Sequence, residues 1–387
     1  MKKVFPVLAI STFSSILGVG IIAPLLPLFA DDLGASGVWL GVIFAGFSIS
    51  RAIFMPIFGK ISDRKGRRKF ICTGLFAYAV ISLGYIWANS ISDLTLVRAL
   101  HGFASAMIIP IAQAYIGDLS PEGEEGKWMG YFSAAFFTGF GFGPLLGGVL
   151  NDLFSMDAAF YAMGGLNLLA FLLAFFLLPE VSPERARGQS PQPSLLEMRE
   201  SGVMKGLVSY RLVYAVGRSA YMCFLPLFAA DFLDLSPGET GLLISVHILL
   251  MSTSQVYAGR LADRFDRRGL VVLGSLISLS FLALIPAMHS LWQLLVLSIF
   301  GALGGTLALP ASSALTVEEG KKYGMGAALG IFNMAMSVGM GVGPLIAGAF
   351  YDSWGIDSAF YFGAGVGLLG TGLFAWFTRP VKSPQAA

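Results

Sequence analysis

Arg98 and His101 stand three residues apart in an otherwise apolar run, a spacing that puts both on one face of a helix. A fixed cation beside an imidazole that titrates near neutrality can hold an acidic substrate and exchange a proton with it. Arg51, Arg218 and His247 also fall inside apolar runs, whereas none of the 23 Asp and Glu residues lies in the middle of one. An ionisable group in hydrocarbon is expensive unless it meets a cavity or a partner, so these five residues mark a substrate or proton pathway. The carboxylates for which a proton and a substrate could compete are Asp31 and Asp231, each near the end of an apolar run.

A second kind of chemistry sits in two charged runs, "GKISDRKGRRKF" from Gly59 and "GRLADRFDRRGL" from Gly259, in a chain with only 12% charged residues. Each offers a carboxylate, Asp63 or Asp263, among Arg64, Arg67 and Arg68 or Arg264, Arg267 and Arg268. A carboxylate in so short a turn can take cationic partners and face the positive end of a neighbouring helix, which makes a latch. Gly66 in the first run is replaced by Asp266 in the second.

The elements that must position these groups are membrane helices. The composition is 56% hydrophobic and 13% aromatic over 387 residues, and apolar stretches of about 20 residues, enough to cross a bilayer, recur along the chain. Twelve spans are predicted: 5–30, 38–59, 70–90, 93–117, 128–150, 158–178, 207–230, 239–259, 270–288, 291–315, 324–350 and 357–378. The first is read as a retained helix, because its apolar run outlasts a signal peptide. Residues 179–205, rich in Pro, Ser and charge, form a solvated linker between bundles 1–178 and 206–387.

With both termini in the cytoplasm, every Lys and Arg except Arg51, Arg98, Arg211 and Arg218 falls in a cytoplasmic segment, a strong positive-inside pattern. A formal charge of +2 without a continuous basic tract argues against nucleic acid. Cys72 and Cys223 are far apart in apolar runs and suggest neither a disulfide framework nor a metal site. Among motifs for other classes, neither a Walker-type "GxxxxGK[ST]" nor "HExxH" occurs, so ATP hydrolysis and metal catalysis are unsupported and the chain is not read as an enzyme.

Position after position repeats 200 residues later. Asp63, Arg64, Arg67 and Arg68 pair with Asp263, Arg264, Arg267 and Arg268; Pro110 pairs with Pro310; Gly139, Gly143 and Pro144 pair with Gly339, Gly343 and Pro344; Asp152 and Asp157 pair with Asp352 and Asp357. "LPLFA" at Leu26 recurs at Leu225 with a one-residue slip. The chain is a duplicated six-helix unit, both copies inserted the same way up, so a pseudo-twofold axis along the membrane normal relates two bundles around a cavity. Gly139, Gly143 and Gly147 recur every four residues and share one helix face with Ala135; Ala335, Gly339, Gly343 and Ala347 repeat it. Pro144 and Pro344 should bend their helices. This face is expected to form a smooth, bendable contact between the halves.

The chain resembles the major facilitator superfamily over essentially its whole length. "GKISDRKGRRKF" resembles that superfamily's G-x-x-x-D-R-x-G-R-R loop between helices 2 and 3. "RALHG", from Arg98, resembles its helix 4 motif in proton-coupled members, with His101 in place of Gln. "GFGFGPLLGG", from Gly139, resembles the helix 5 motif of antiporters. The resemblance implies that Asp118 joins Asp63 and Arg67 in a charge network, with Glu318 as its counterpart beside Asp263 and Arg267, and it is strongest to the drug:proton antiporter branch.

The expectation is an all-α secondary transporter that exports amphipathic small molecules against protons, with no cofactor beyond the proton gradient. It would act as a single chain, multi-pass in the inner cell membrane. The alternative is transport of an anionic, sugar-like or lipid-like metabolite, which the cationic interior favours.

Overall fold

A computed structural model describes residues 4–120, 124–180, 198, 200–323 and 325–379. The expected linker falls mostly outside these residues, and so do Lys2, Lys3 and Lys382. The described chain is helical throughout. The first half comprises α1 (Phe5–Asp32), α2 (Gly37–Lys65), α3 (Arg67–Gly84), α4 (Ile91–Ala106), α5 (Ile109–Leu119), α6 (Glu125–Leu153) and α7 (Met156–Leu177). The second comprises α8 (Gly202–Leu233), α9 (Pro237–Arg264), α10 (Arg267–Leu284), α11 (Leu291–Tyr323), α12 (Met325–Trp354) and α13 (Ile356–Phe377).

Short polar caps cut the apolar sequence into these pieces. Ser36, Ser90, Ser155, Ser201 and Ser236 each accept a backbone N–H of the first turn that follows. Ser236 and Glu239 complete a capping box, and Pro237 starts its helix where a missing N–H costs nothing. The α2–α3 turn needs Gly66, whose φ of +92° disfavours a side chain. The second copy makes the same turn differently: Asp266, at φ −59°, accepts N–H bonds from Arg268 and Gly269.

Ten helices are long and apolar enough to cross a membrane, with α4 and α5 together forming one broken span, Ile91–Leu119. Counting α9, bent by 50°, as a single span makes eleven. The twelfth expected span, 70–90, corresponds to α3, which starts earlier and takes Arg67, Arg68 and Lys69 into its 18 residues. Large apolar side chains cover the outside, Trp87, Phe176 and Trp292 among them, as a lipid-facing surface requires.

The duplication is visible in the helix bounds. Both α3 and α10, and both α7 and α13, begin 200 residues apart. Within the halves α1 packs on α6, α2 on α4, α8 on α12 and α13, and α10 on α11; between them α6 lies along α9 and α2 along α12. One hydrophobic core runs across both halves and includes Leu25, Ile43, Phe224, Ile248 and Ala347. A second, including Leu207, Val271, Ala311, Phe332 and Phe374, belongs to the second half alone.

Candidate functional site

The two charged runs lie at one end of the bundle, here called the basic end. Arg67 reaches Asp63 one turn back at 2.9 Å and also binds Asp118 with two nitrogens. Arg267 reaches Asp263 at 3.6 Å and binds Glu318. The structure therefore brings together each expected set of three. Arg67 is buried and Arg267 half-buried, and Asp118 is far less exposed than Glu318. Arg68 donates to the Phe175 carbonyl and lies over that ring, while Arg64 and Arg264 are exposed. No atom stands close to the Cβ position of Gly59 or Gly259.

At the opposite end two carboxylates tie the halves together. Asp352 of α12 accepts the first N–H groups of α2, from Gly37 at 2.6 Å and Val38 at 3.0 Å. Asp152 of α6 accepts the Ser236 hydroxyl at 2.7 Å and the Gly238 N–H at 3.0 Å at the start of α9. A carboxylate at a helix N-terminus satisfies orphan donors and meets the positive end of the helix dipole. The Ser245 hydroxyl of α9 lies 3.0 Å from the Leu145 N–H of α6 and accepts it. Among the described residues every hydrogen bond between the halves belongs to this end. In the sequence Asp152 and Asp352 stand out only as repeats, at one shared spacing after Pro144 and Pro344.

The glycine face requires a correction. Gly139, Gly143 and Gly147 meet α1 of their own half: added Cβ atoms would stand 2.7 Å from the Phe13 carbonyl at Gly139 and 2.7 Å from the Leu17 carbonyl at Gly143. Gly339 and Gly343 likewise meet α8, against Leu212 and Val216. The contact between halves uses the other side of each helix, where Gly148 and Pro144 approach Pro237 and Gly241, and where Gly348 and Pro344 approach Gly37 and Gly41. A four-residue repeat defines a smooth face without saying which neighbour it meets.

The expected pathway residues divide into three groups. His101 is buried in the first half, its ring stacked on Tyr78 at 4.1 Å and its Nδ1 2.9 Å from the Tyr85 hydroxyl. Arg98 is also buried, its guanidinium 4.6 Å over Phe47 and 5.6 Å over Phe44, both on α2. In this state α2 covers Arg98, and its Nε has no hydrogen-bond partner among the described residues. Arg51 is half-buried on α2.

Arg218 and His247 form the second group. Both line a cavity within the second half, Arg218 with its guanidinium 5.5 Å over Phe140 of α6. His247 Nδ1 donates to the Ser298 carbonyl at 3.2 Å. Arg211, the fourth basic residue outside the cytoplasmic segments, lies over the Phe332 ring at 4.6 Å. Asp31 and Asp231, the third group, are exposed at the joined end, away from Arg98 and His101. No cluster of His, Cys, Asp and Glu suited to a metal occurs among the described residues.

The profile of the Major Facilitator Superfamily matches residues 8–214 and 207–387. The chain is 30% identical over 373 residues to the quinolone resistance protein NorA of Staphylococcus aureus (strain MSSA476), covering 96% of this chain and 95% of that relative. It is 28% identical over 369 residues to the MFS-type transporter MJ1560 of Methanocaldococcus jannaschii, covering 94% and 95%. Among solved structures it resembles a bacterial homologue of the human lysosomal transporter Spinster, inward-facing and occupied, with a TM-score of 0.84, 15% identity and 98% of both chains covered. The human organic anion transporter MFSD10 gives a TM-score of 0.70 at 21% identity, over 96% of this chain and 99% of that one.

Proposed function

Because the chain belongs to the major facilitator superfamily of membrane transporters, we propose that it is a proton-coupled exporter of amphipathic small molecules working by alternating access. One observation carries the reading: Asp152 and Asp352 join the halves at one end, while the basic ends share no hydrogen bond among the described residues. The excess of Lys and Arg at the basic end supports a cytoplasmic location for it and for both termini. The joined end is then external, and the state is open inward. The name of the staphylococcal relative, quinolone resistance protein, supports drug-like cargo.

In this reading Arg98 and His101 are the coupling pair. His101 exchanges its proton through the Tyr85 hydroxyl, and Arg98 becomes accessible when α2 moves off it. The protein works as a single chain in the cell membrane, powered by the proton gradient.

A second reading, transport of an organic anion, is favoured by Arg98, Arg218 and Arg51 in the absence of any acidic residue at mid-span. The test is uptake of cationic, neutral and anionic amphiphiles into proteoliposomes under an imposed pH gradient, with a protonophore control. Export by proton exchange predicts uptake that needs the gradient and is lost in His101→Ala. Uptake of anions alone, indifferent to the protonophore, would replace the first reading with the second.

A further inference from the structure

None of the 25 Lys and Arg residues falls in a turn at the joined end, whereas ten of the 23 Asp and Glu residues fall in or beside one. The first half supplies Asp31, Asp32, Asp93, Asp152 and Asp157, and the second Asp231, Asp234, Glu239, Asp352 and Asp357, five from each side. His289 and the phenols of Tyr161, Tyr351 and Tyr361 share that end, and none of them is anionic at neutral pH. Two bodies that carry the same charge repel when they meet, most strongly in low salt.

These carboxylates are not equivalent. Asp93, Asp157, Glu239 and Asp357 stand in the first turns of their helices, where the dipole favours an anion. Asp152 and Asp352 end theirs, and each is compensated by two donors of the other half. Asp31 and Asp32 end α1, and Asp231 stands in the last turn of α8, with no basic residue in either turn. They meet the negative end of the helix dipole, and no donor of the other half reaches them among the described residues. Helix α1 packs on α8, and Asp31 and Asp231 stand near enough across that contact for their charges to interact. With Asp352 they also act on the Tyr351 hydroxyl of α12, whose ring rests on Gly37 of α2 and lies 5.6 Å from that of Phe224 on α8. Carboxylates of both halves therefore gather around one phenol where α1, α2, α8 and α12 meet.

We propose that Asp31 and Asp231 form a proton-operated clasp at the joined end: closure brings their charges together and draws in protons, and loss of those protons drives the halves apart. The clasp is separate from Arg98 and His101, and it rests on the alternating-access reading. Asp152 and Asp352 hold the end shut while this pair opposes them, which leaves the closure poised. Protons favour whichever state binds them more tightly, so acid favours the closed end and alkali the open one. Salt acts in the same direction as acid, because it screens the same repulsion between exposed charges.

The test uses the full chain in lipid nanodiscs, carrying Cys72→Ser and Cys223→Ser, with spin labels at Phe154 and Trp354, exposed at the joined end in opposite halves. Double electron–electron resonance gives the ratio of short to long distances. Lowering the pH from about 8 to about 4.5 should raise that ratio about tenfold or more, since two carboxylates titrate together. At the alkaline limit, raising salt from about 0.01 M to about 1 M shortens the screening length from about 30 Å to about 3 Å and should move the ratio the same way. Asp31→Asn combined with Asp231→Asn should keep the end closed throughout and cut the pH response to less than about twofold. Asp157→Asn combined with Asp357→Asn removes the same charge from the same end and should leave the response within about twofold of the parent's. His101→Ala should retain it.

Should the Asp31 and Asp231 double variant fail to give monodisperse protein, Asp231→Asn alone and the salt series decide. A ratio indifferent to pH, a pH response that salt does not reproduce, or a response that survives Asp31→Asn with Asp231→Asn would overturn the proposal. So would equal loss in the Asp157 and Asp357 variant, or loss in His101→Ala, which would assign the response to the coupling pair. A working clasp in a protein that transports no amphiphile would leave the clasp and remove the export reading; transport with a ratio independent of pH would do the reverse.

Discussion

Asp152 and Asp352 stand 200 residues apart in the sequence and do the same thing in opposite directions: each caps the first turn of a helix that belongs to the other half. Their bonds close one end of the molecule by backbone N–H groups and a serine hydroxyl, without a salt bridge. A closure made this way is bistable, because each carboxylate can exchange its donors for water when the helices part.

Replacing both with Asn keeps the size and removes the charge. Each change should cost the closed end about 1 kcal/mol, up to about 2 where the cap is partly buried. Together they should raise opening at that end by about tenfold or more. The check is labelling of Ser245→Cys, in a chain lacking Cys72 and Cys223, by a membrane-impermeant maleimide added outside. Ser245 is buried in the seal. Labelling equal to that of the parent would mean that the carboxylates do not hold this end.

The two basic-end clusters are unequal despite their matching sequence. Arg67 is buried between its partners, whereas Glu318 and Asp263 are 51% and 74% exposed around Arg267. Arg67→Ala strands Asp118 and should destabilise by roughly 2–4 kcal/mol. Arg267→Ala should cost less than about 1 kcal/mol, as exposed pairs do. Thermal unfolding in detergent gives the order, and a larger loss for Arg267→Ala would contradict it.

Gly143→Ala and Gly341→Ala separate packing within a half from contact between halves. An added Cβ at Gly143 meets the Leu17 carbonyl of α1 at 2.7 Å, a backbone atom that cannot step aside. At Gly341 the nearest atom is Ile49 Cγ1 at 3.7 Å. The first change should cost about 1–3 kcal/mol of stability and the second less than about 0.5. Equal melting of the two variants would put the glycine face back between the halves.

The duplication and the membrane class were legible because both are periodic features of the chain itself. Hydropathy placed most helices, and the α3 boundary differed because three basic residues open that helix at the membrane edge. The triads around Arg67 and Arg267 followed from the resemblance, since Asp118 lies 51 residues from Arg67 and no local pattern joins them. Gly143 was assigned to the wrong neighbour because spacing gives a face and not a partner. The tasks of Asp152 and Asp352 were hidden for the same reason: their donors lie 84 or more residues away, across the molecule.

The most direct measurement is a pair of distances taken by double electron–electron resonance on the same protein in nanodiscs. One pair joins spin labels at Phe154 and Trp354 at the joined end; the other joins Lys65 and Phe265 at the basic end, all four side chains being exposed. Alternating access predicts that acidic and alkaline buffers, or an added amphiphile, move the two distances in opposite directions, the joined end opening as the basic end closes. Distances that stay fixed at both ends under every condition would contradict a transporter that exposes its cavity to each side in turn.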